Sequence, residues 1–137
     1  MAVVIKKTPK NLIKTKKVKK IPEGRGIING YFSFNNTILN LSKENGEVLV
    51  PCSAGSIGYR GSKKSTSYAA KKATEEIIKK ATEYGIYNIK LRVKGVGAGR
   101  DIVIKKFLET NSLKVKEVEE GTPNPFNGTR PRKKPRK

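Results

Sequence analysis

The chain has 137 residues, 35% of them apolar, which supports one modest core and leaves no room for a two-domain enzyme. Its 31 Lys and Arg face only 11 Asp and Glu, a formal charge of +20 that makes nucleic acid the default partner. It contains no histidine, so serine triads and His-ligated zinc sites are excluded.

Residues 1–20 carry eight lysines, no acid and no apolar segment of the kind a secretory signal needs. They lack the arginines of a transit peptide, and Pro9 interrupts any amphipathic helix, so neither import targeting nor membrane binding is indicated. Nowhere does the chain approach the roughly 20 apolar residues that cross a bilayer. The expectation is a basic N-terminal arm over 1–22, disordered when free of its partner, ahead of a folded domain over 23–120.

Residues 26–34 and 37–41 are rich in β-branched and aromatic types with partial alternation, and both read as strands. Asn45-Gly46 then separates 37–41 from 47–52, a strong hairpin signal that makes three antiparallel strands. The lone Cys52 sits in the apolar run of the third strand and reads as a small buried hydrophobe.

Between Ser53 and Thr66 the chain holds Gly55, Gly58 and Gly61 at intervals of three, hydroxyls at Ser56, Ser65 and Thr66, and the cations Arg60, Lys63 and Lys64. Residues 53–72 contain no acid. Such a loop ahead of a helix offers backbone amides, fixed cations and a helix N-terminus to phosphate oxygens, with Tyr59 available to stack on a base.

Ala70, Ala73, Ile77, Ala81 and Tyr84 recur every three or four residues, predicting an amphipathic helix over 66–84. Ser65, Thr66 or Ser67 caps it and Gly85 ends it. A fourth strand follows over 86–94, then Gly95-Val-Gly-Ala-Gly-Arg100, a helix over 101–110 and a fifth strand over 113–118. With Arg in place of the last glycine, 95–100 fails the dinucleotide fingerprint. Gly97, Gly99 and Arg100 remain candidates for phosphate contact.

Strand–helix–strand connections require parallel crossovers. The fold class is therefore α/β: a mixed five-stranded sheet, three strands antiparallel and two added by right-handed crossovers, with helices on its faces. From Gly121 to Lys137, four prolines alternate with six cations and no acid, so the tail stays extended. In that tail Asn127-Gly128 reads as a turn and is sterically open to deamidation.

Phe34-Asn-Asn-Thr-Ile38, Ser53-Ala-Gly-Ser56, Lys64-Ser-Thr66, Gly95-Val-Gly-Ala-Gly-Arg-Asp101 and Thr122-Pro-Asn-Pro with Asn127-Gly128 and Arg130-Pro131 stand in one order. Together, over about residues 24–134, they resemble the universal small-subunit ribosomal protein numbered eleven, of bacterial or organellar type. The resemblance implies a three-layer, ribonuclease-H-like domain with no catalytic activity. It implies binding to the central domain of the small-subunit ribosomal RNA in the platform. Neighbouring small-subunit proteins numbered seven, eighteen and twenty-one, and a tail near the upstream messenger path by the Shine-Dalgarno helix, follow from it too.

Carried over to this chain, it implies RNA contacts from Asn35, Asn36 and Thr37, from Gly55 to Thr66, from Gly97, Gly99 and Arg100, and from Asn127, Gly128, Arg130, Arg132, Lys133 and Lys134. Asn35 and Asn36 read equally well as a plain turn. A nuclease of the same fold class needs several carboxylates on two metal ions, and Asp101 is the only aspartate. No cofactor, metal or homo-oligomer is expected, and the compartment is the cytoplasm or an organelle. A free nucleic-acid binder outside the ribosome would share the same charge pattern.

Overall fold

The computed structural model describes residues 20–136. The chain order is β1 (Arg25–Phe32), β2 (Thr37–Ser42), β3 (Val48–Ser53), a 3₁₀ turn (Gly61–Ser65), α1 (Ser67–Glu83), β4 (Asn88–Gly95), α2 (Arg100–Glu109) and β5 (Lys114–Glu120). The strands form one sheet in the order β3-β2-β1-β4-β5. β1 runs antiparallel to β2 and β2 to β3, while β4 lies parallel to both β1 and β5. The mixed five-stranded α/β sheet is the one expected.

Local sequence explains most boundaries. In the β2–β3 hairpin, Gly46 takes φ +91° and the Asn45 side chain accepts from the Glu47 amide at 3.1 Å. Thr66 caps α1, its hydroxyl oxygen accepting from the Ala69 amide at 3.3 Å. Gly85 ends the helix at φ +73°, its amide donating to Thr82 O while the Ile86 amide donates to Ala81 O. This is a Schellman closure, and the buried Ile86 belongs to it rather than to β4, which starts two residues later than expected.

β1 stops at Phe32 because Ser33 opens a turn. The Ser33 amide donates to Asn36 O at 3.0 Å and the Asn36 amide to Ser33 Oγ at 3.0 Å. Ser33 and Phe34, expected to continue the strand, belong to that turn, and Phe34 is 78% exposed. β5 runs two residues further than expected, to Glu120, because Lys90, Arg92 and Arg100 hold its carboxylates against the sheet.

Ile28, Phe32, Leu39, Leu41, Ile89, Leu91 and Val93 fill one face of the sheet and are essentially inaccessible to solvent. Ala70, Ala73, Ile77 and Ala81 of α1, with Val103 and Phe107 of α2, close over them. Burying each such Leu, Ile, Val or Phe side chain contributes about 1.5–3 kcal/mol. The alanine stripe lets α1 lie close to β2 and β3. Ile21 packs on the edge of this core and its amide donates to Tyr84 O at 3.0 Å.

Among the described residues, both helices lie on the same face of the sheet. Both crossovers, β3 to β4 and β4 to β5, step in the same direction between parallel strands, so right-handed connections place both helices on one face. Accordingly α1 and α2 pack against each other. Among the described residues the opposite face carries no helix, and Asn29, Tyr31, Asn40, Lys90, Arg92 and Lys94 stand on it half-buried or exposed, with Ile27 and Ile38 between them. The first 19 residues, and with them most of the expected N-terminal arm, lie outside the described residues.

Candidate nucleic-acid interface

β1, β3, β4 and β5 all point the same way, because the antiparallel β2 lies between β3 and β1. The turn after β1, the loop after β3, the loop after β4 and the tail after β5 therefore leave from one edge of the sheet. In open α/β sheets this carboxyl edge is where ligands bind. It gathers the expected contact segments at 35–37, 55–66, 97–100 and 127–134.

The loop after β3 is built by its own polar groups. Ser53 and Ser56 exchange amide-to-hydroxyl hydrogen bonds of 3.0 and 3.2 Å. The Ala54 amide reaches Thr37 O at 3.1 Å and the Tyr59 amide Ala54 O at 3.2 Å. Gly58 and Gly61 take φ +114° and +60° in open space, so backbone conformation rather than crowding requires glycine there. Ser65 Oγ donates to Ser62 O at 2.9 Å and Thr66 Oγ1 to Lys63 O at 2.7 Å. The hydroxyls of Ser56, Ser65 and Thr66, expected to face phosphate, thus shape the loop.

What the loop presents outward is charge. Arg60 and Lys63 are exposed, Lys64 half-buried, and none has an acidic partner among the described residues. Tyr59 meets Tyr68 edge-on at 6.2 Å, and Lys72 Nζ lies 5.6 Å from the Tyr68 ring centroid. Lys72 also donates to Glu75 at 3.2 Å, which raises its own pKa and holds the Glu75 carboxyl below its ordinary value. Tyr68, 60% exposed at the start of α1, is an aromatic surface beside the loop that sequence reasoning missed. Its signal was a tyrosine on each side of one basic loop.

Three of the expected contact residues are buried within the domain. Thr37 is 1% exposed; its amide donates to Asn36 Oδ1 at 2.9 Å and its carbonyl accepts from Ala54, so it joins two loops. Gly97 and Gly99 are also buried. A Cβ at Gly97 would run into the backbone of Phe32 and Ser33, and the Gly97 amide is bonded to Phe32 O at 3.0 Å. At Gly99 a Cβ would lie 2.6 Å from Ala70 Cβ and 3.0 Å from Thr37 Oγ1. These glycines seat the loop after β4 against the β1–β2 turn and α1.

Arg100 sits at the start of α2, its guanidinium donating to Gly95 O at 3.2 Å and paired with the Glu120 carboxylate. It ties β4 to the end of β5. The exposed residues of these two turns are Phe34, Asn35, Val96 and Ala98, while Asn36 is half-buried and uses its side chain within the turn.

The tail is fastened where it begins, the Gly121 amide donating to Val93 O at 2.8 Å and the Gly95 amide to Thr122 Oγ1 at 3.1 Å. Beyond it Phe126 is 93% exposed, and Asn127 takes φ +50° ahead of Gly128, consistent with a turn. Arg130, Arg132, Lys133 and Lys134 are exposed, with no ion pair among the described residues.

The body, by contrast, is nearly neutral, and most of its acids are paired. Glu44 meets Arg25, Glu47 meets Lys43, Glu76 meets Lys80, and Glu117 and Glu119 meet Lys90 and Arg92. Uncompensated positive charge is left at the carboxyl edge and tail, where it attracts a polyanion. Among the described residues, no three His, Cys, Asp or Glu side chains gather to hold a metal, and no helix is long and apolar enough to cross a membrane. Cys52 is buried, its thiol donating to Ala73 O at 3.6 Å.

The family model for ribosomal protein S11 matches residues 26–136. A small ribosomal subunit protein uS11 from Nautilia profundicola is 42% identical over 93% of this chain and 97% of its own length. The protein of the same name from Kosmotoga olearia is 42% identical over 90% of this chain and 94% of its own length. That from Helicobacter pylori is 40% identical over 93% and 97%.

Proposed function

The chain belongs to the ribosomal protein S11 family, a structural and non-catalytic component of the small ribosomal subunit, and from that premise we propose how it engages ribosomal RNA. The carboxyl edge of the sheet docks on the central domain of the small-subunit RNA, in the platform. Arg60, Lys63 and Lys64 neutralise closely packed phosphates, Gly55 to Gly61 lets the backbone approach them, and Tyr59 with Tyr68 meets exposed bases. Asn35 and Phe34 extend the contact at the turn after β1.

The tail from Asn127 to Lys134 threads between RNA helices toward the upstream messenger path, and orders on binding. Small-subunit proteins numbered seven, eighteen and twenty-one border the domain, in a cytoplasmic ribosome. The protein's contribution is assembly and shape of the platform.

The observation that supports this reading is the distribution of charge: residues 21–52 and 73–120 hold 12 basic and 11 acidic residues, whereas the loop segment 53–72 and the tail from 121 hold no acid, and both leave from one sheet edge. Its test is filter binding of the full chain to central-domain RNA and, as a control, to the 5′ domain, across a salt series. A preference for the central domain that survives high salt is expected. Removing residues 127–137 should reduce the slope of log affinity against log salt by up to about 4, given six cations at roughly 0.7 each. Equal, fully salt-sensitive binding to both RNAs would reduce the interface to a non-specific polycation.

A further inference from the structure

The helix-free face of the sheet carries a patch that the edge interface does not use. Strand register lays it out as a grid. Tyr31 stands between Ile38 of β2 and Lys94 of β4, and one row below, Asn29 stands between Asn40 and Arg92. These six side chains line a concavity of about 240 Å³. Tyr31 is 48% exposed there.

Its polar groups are underused. Asn29 Nδ2 donates to Ser42 Oγ at 3.3 Å, which leaves its carbonyl oxygen and second N–H free. The Asn40 side-chain amide has no hydrogen-bond partner, and Lys94 no ion pair, among the described residues. The one acid at the rim, Glu119, is held by Lys90 at 3.1 Å and Arg92 at 3.0 Å. An aromatic ring, two amides with donors and acceptors, and a free ammonium are the parts that recognise an unpaired nucleotide. They stack its base, bond its edge and meet its phosphate.

Other occupants fit the patch poorly. An apolar peptide segment would strip water from both amides and the ammonium without replacing those bonds, at a cost. An intact duplex hides its base faces from a flat sheet. The Tyr31–Lys94 row also adjoins the turn after β1, so an RNA strand leaving the carboxyl edge runs directly onto it.

We propose that the bare sheet face binds an unpaired RNA nucleotide, its base stacked on Tyr31 and bonded at its edge by Asn29 and Asn40, its phosphate met by Lys94. This rests on the chain being an RNA-binding ribosomal protein and adds a second contact surface on a different face.

The test uses the full chain with octaadenylate and an abasic oligomer of the same sugar-phosphate length, so that phosphate attraction cancels in the ratio. Wild-type protein should prefer octaadenylate by roughly fivefold or more. Tyr31→Phe should keep that preference, and Tyr31→Ala should lower it about fivefold, to the part that Tyr59 and Tyr68 supply. Because Tyr31 is half exposed, the variant should fold, as circular dichroism would verify. Tyr31→Leu, which keeps the apolar bulk and lacks the ring, serves if it does not. An undiminished preference in the variant that folds overturns the proposal.

Reversing Arg60, Lys63 and Lys64 to Glu should weaken both oligomers alike and leave the ratio intact. Unchanged absolute affinity there counts against the edge interface and not against the sheet face. Ultraviolet crosslinking of intact small subunits supplies an independent reading. A nucleotide adduct on Tyr31 is expected, and a crosslink from Tyr31 to another protein overturns the assignment.

Discussion

Gly99→Ala isolates the packing that seats the β4–α2 loop. At φ −77° and ψ −11°, position 99 accepts any residue, so backbone conformation alone would favour alanine by about 0.4–1 kcal/mol through the unfolded chain. The opposing contribution is steric. A new Cβ would lie 2.6 Å from Ala70 Cβ and 3.0 Å from Thr37 Oγ1, and Ala70 and Thr37 are themselves buried on separate elements. Overpacking of this kind costs about 1–3 kcal/mol, so it wins and the variant is destabilised.

Ala70→Gly removes the closer of the two obstacles. Alone it should cost about 1 kcal/mol in helix propensity and a further 0.8 kcal/mol or so for the lost methyl. Combined with Gly99→Ala it should cost less than the two single changes together, by about 1 kcal/mol or more. Urea unfolding followed by circular dichroism measures the cycle, with unchanged m-values as the check that only stability moved. A Gly99→Ala protein at least as stable as wild type, or a cycle additive to within about 0.5 kcal/mol, would refute the reasoning.

Reversing Arg60, Lys63 and Lys64 to Glu should leave the isolated fold's unfolding midpoint nearly unchanged and block incorporation into small subunits; normal incorporation, read on a sucrose gradient, would sink the loop's role. Cys52 should resist an aromatic disulfide reagent at pH 8 in the native protein and react at the rate of unfolding, since burial pushes its thiol pKa up. Fast native-state labelling would contradict the packed strand. Hydrogen bonds from Lys90 first and Arg92 second hold the Glu119 carboxyl below its ordinary 4.5. A depressed folded value stabilises fully above the unfolded one and is lost as pH falls through the depressed value, so the acid limb lies below about pH 4.5. Glu119→Gln should make that limb shallower in urea midpoints measured against pH, and an unaltered limb would show that the β4–β5 pairs do not couple to folding.

Periodicity and turn chemistry carried most of the fold into the sequence. Asn45-Gly46, the alanine stripe and Gly85 each act through local physics, and each sits where it was expected. Boundaries moved where side chains intervened: Ser33 capped a turn, and three basic residues extended β5. Which face the helices cover was hidden because it depends on strand order, and β4 lying beside β1 is a long-range fact that sends both crossovers over the same face.

Site residues divide along the same line. Arg60, Lys63 and Lys64 were legible because an acid-free block announces its charge. Gly97 and Gly99 were misread because glycine spacing carries one signal for two causes, a loop opened to phosphate and a loop pressed against its neighbours. Thr37 opens β2 with its side chain in the core, while Asn35, two residues earlier, lies in the turn and stays outside. Tyr31 was invisible as a contact because a tyrosine in a strand announces neither which face it occupies nor that the face is bare.

The most direct test of the central claim is sucrose-gradient sedimentation of a lysate, with fractions probed for this chain before and after a high-salt wash. Near-stoichiometric migration with small subunits that survives the wash is the predicted result. Recovery in the light fractions alone would contradict a structural role in the subunit and leave a free nucleic-acid binder in its place.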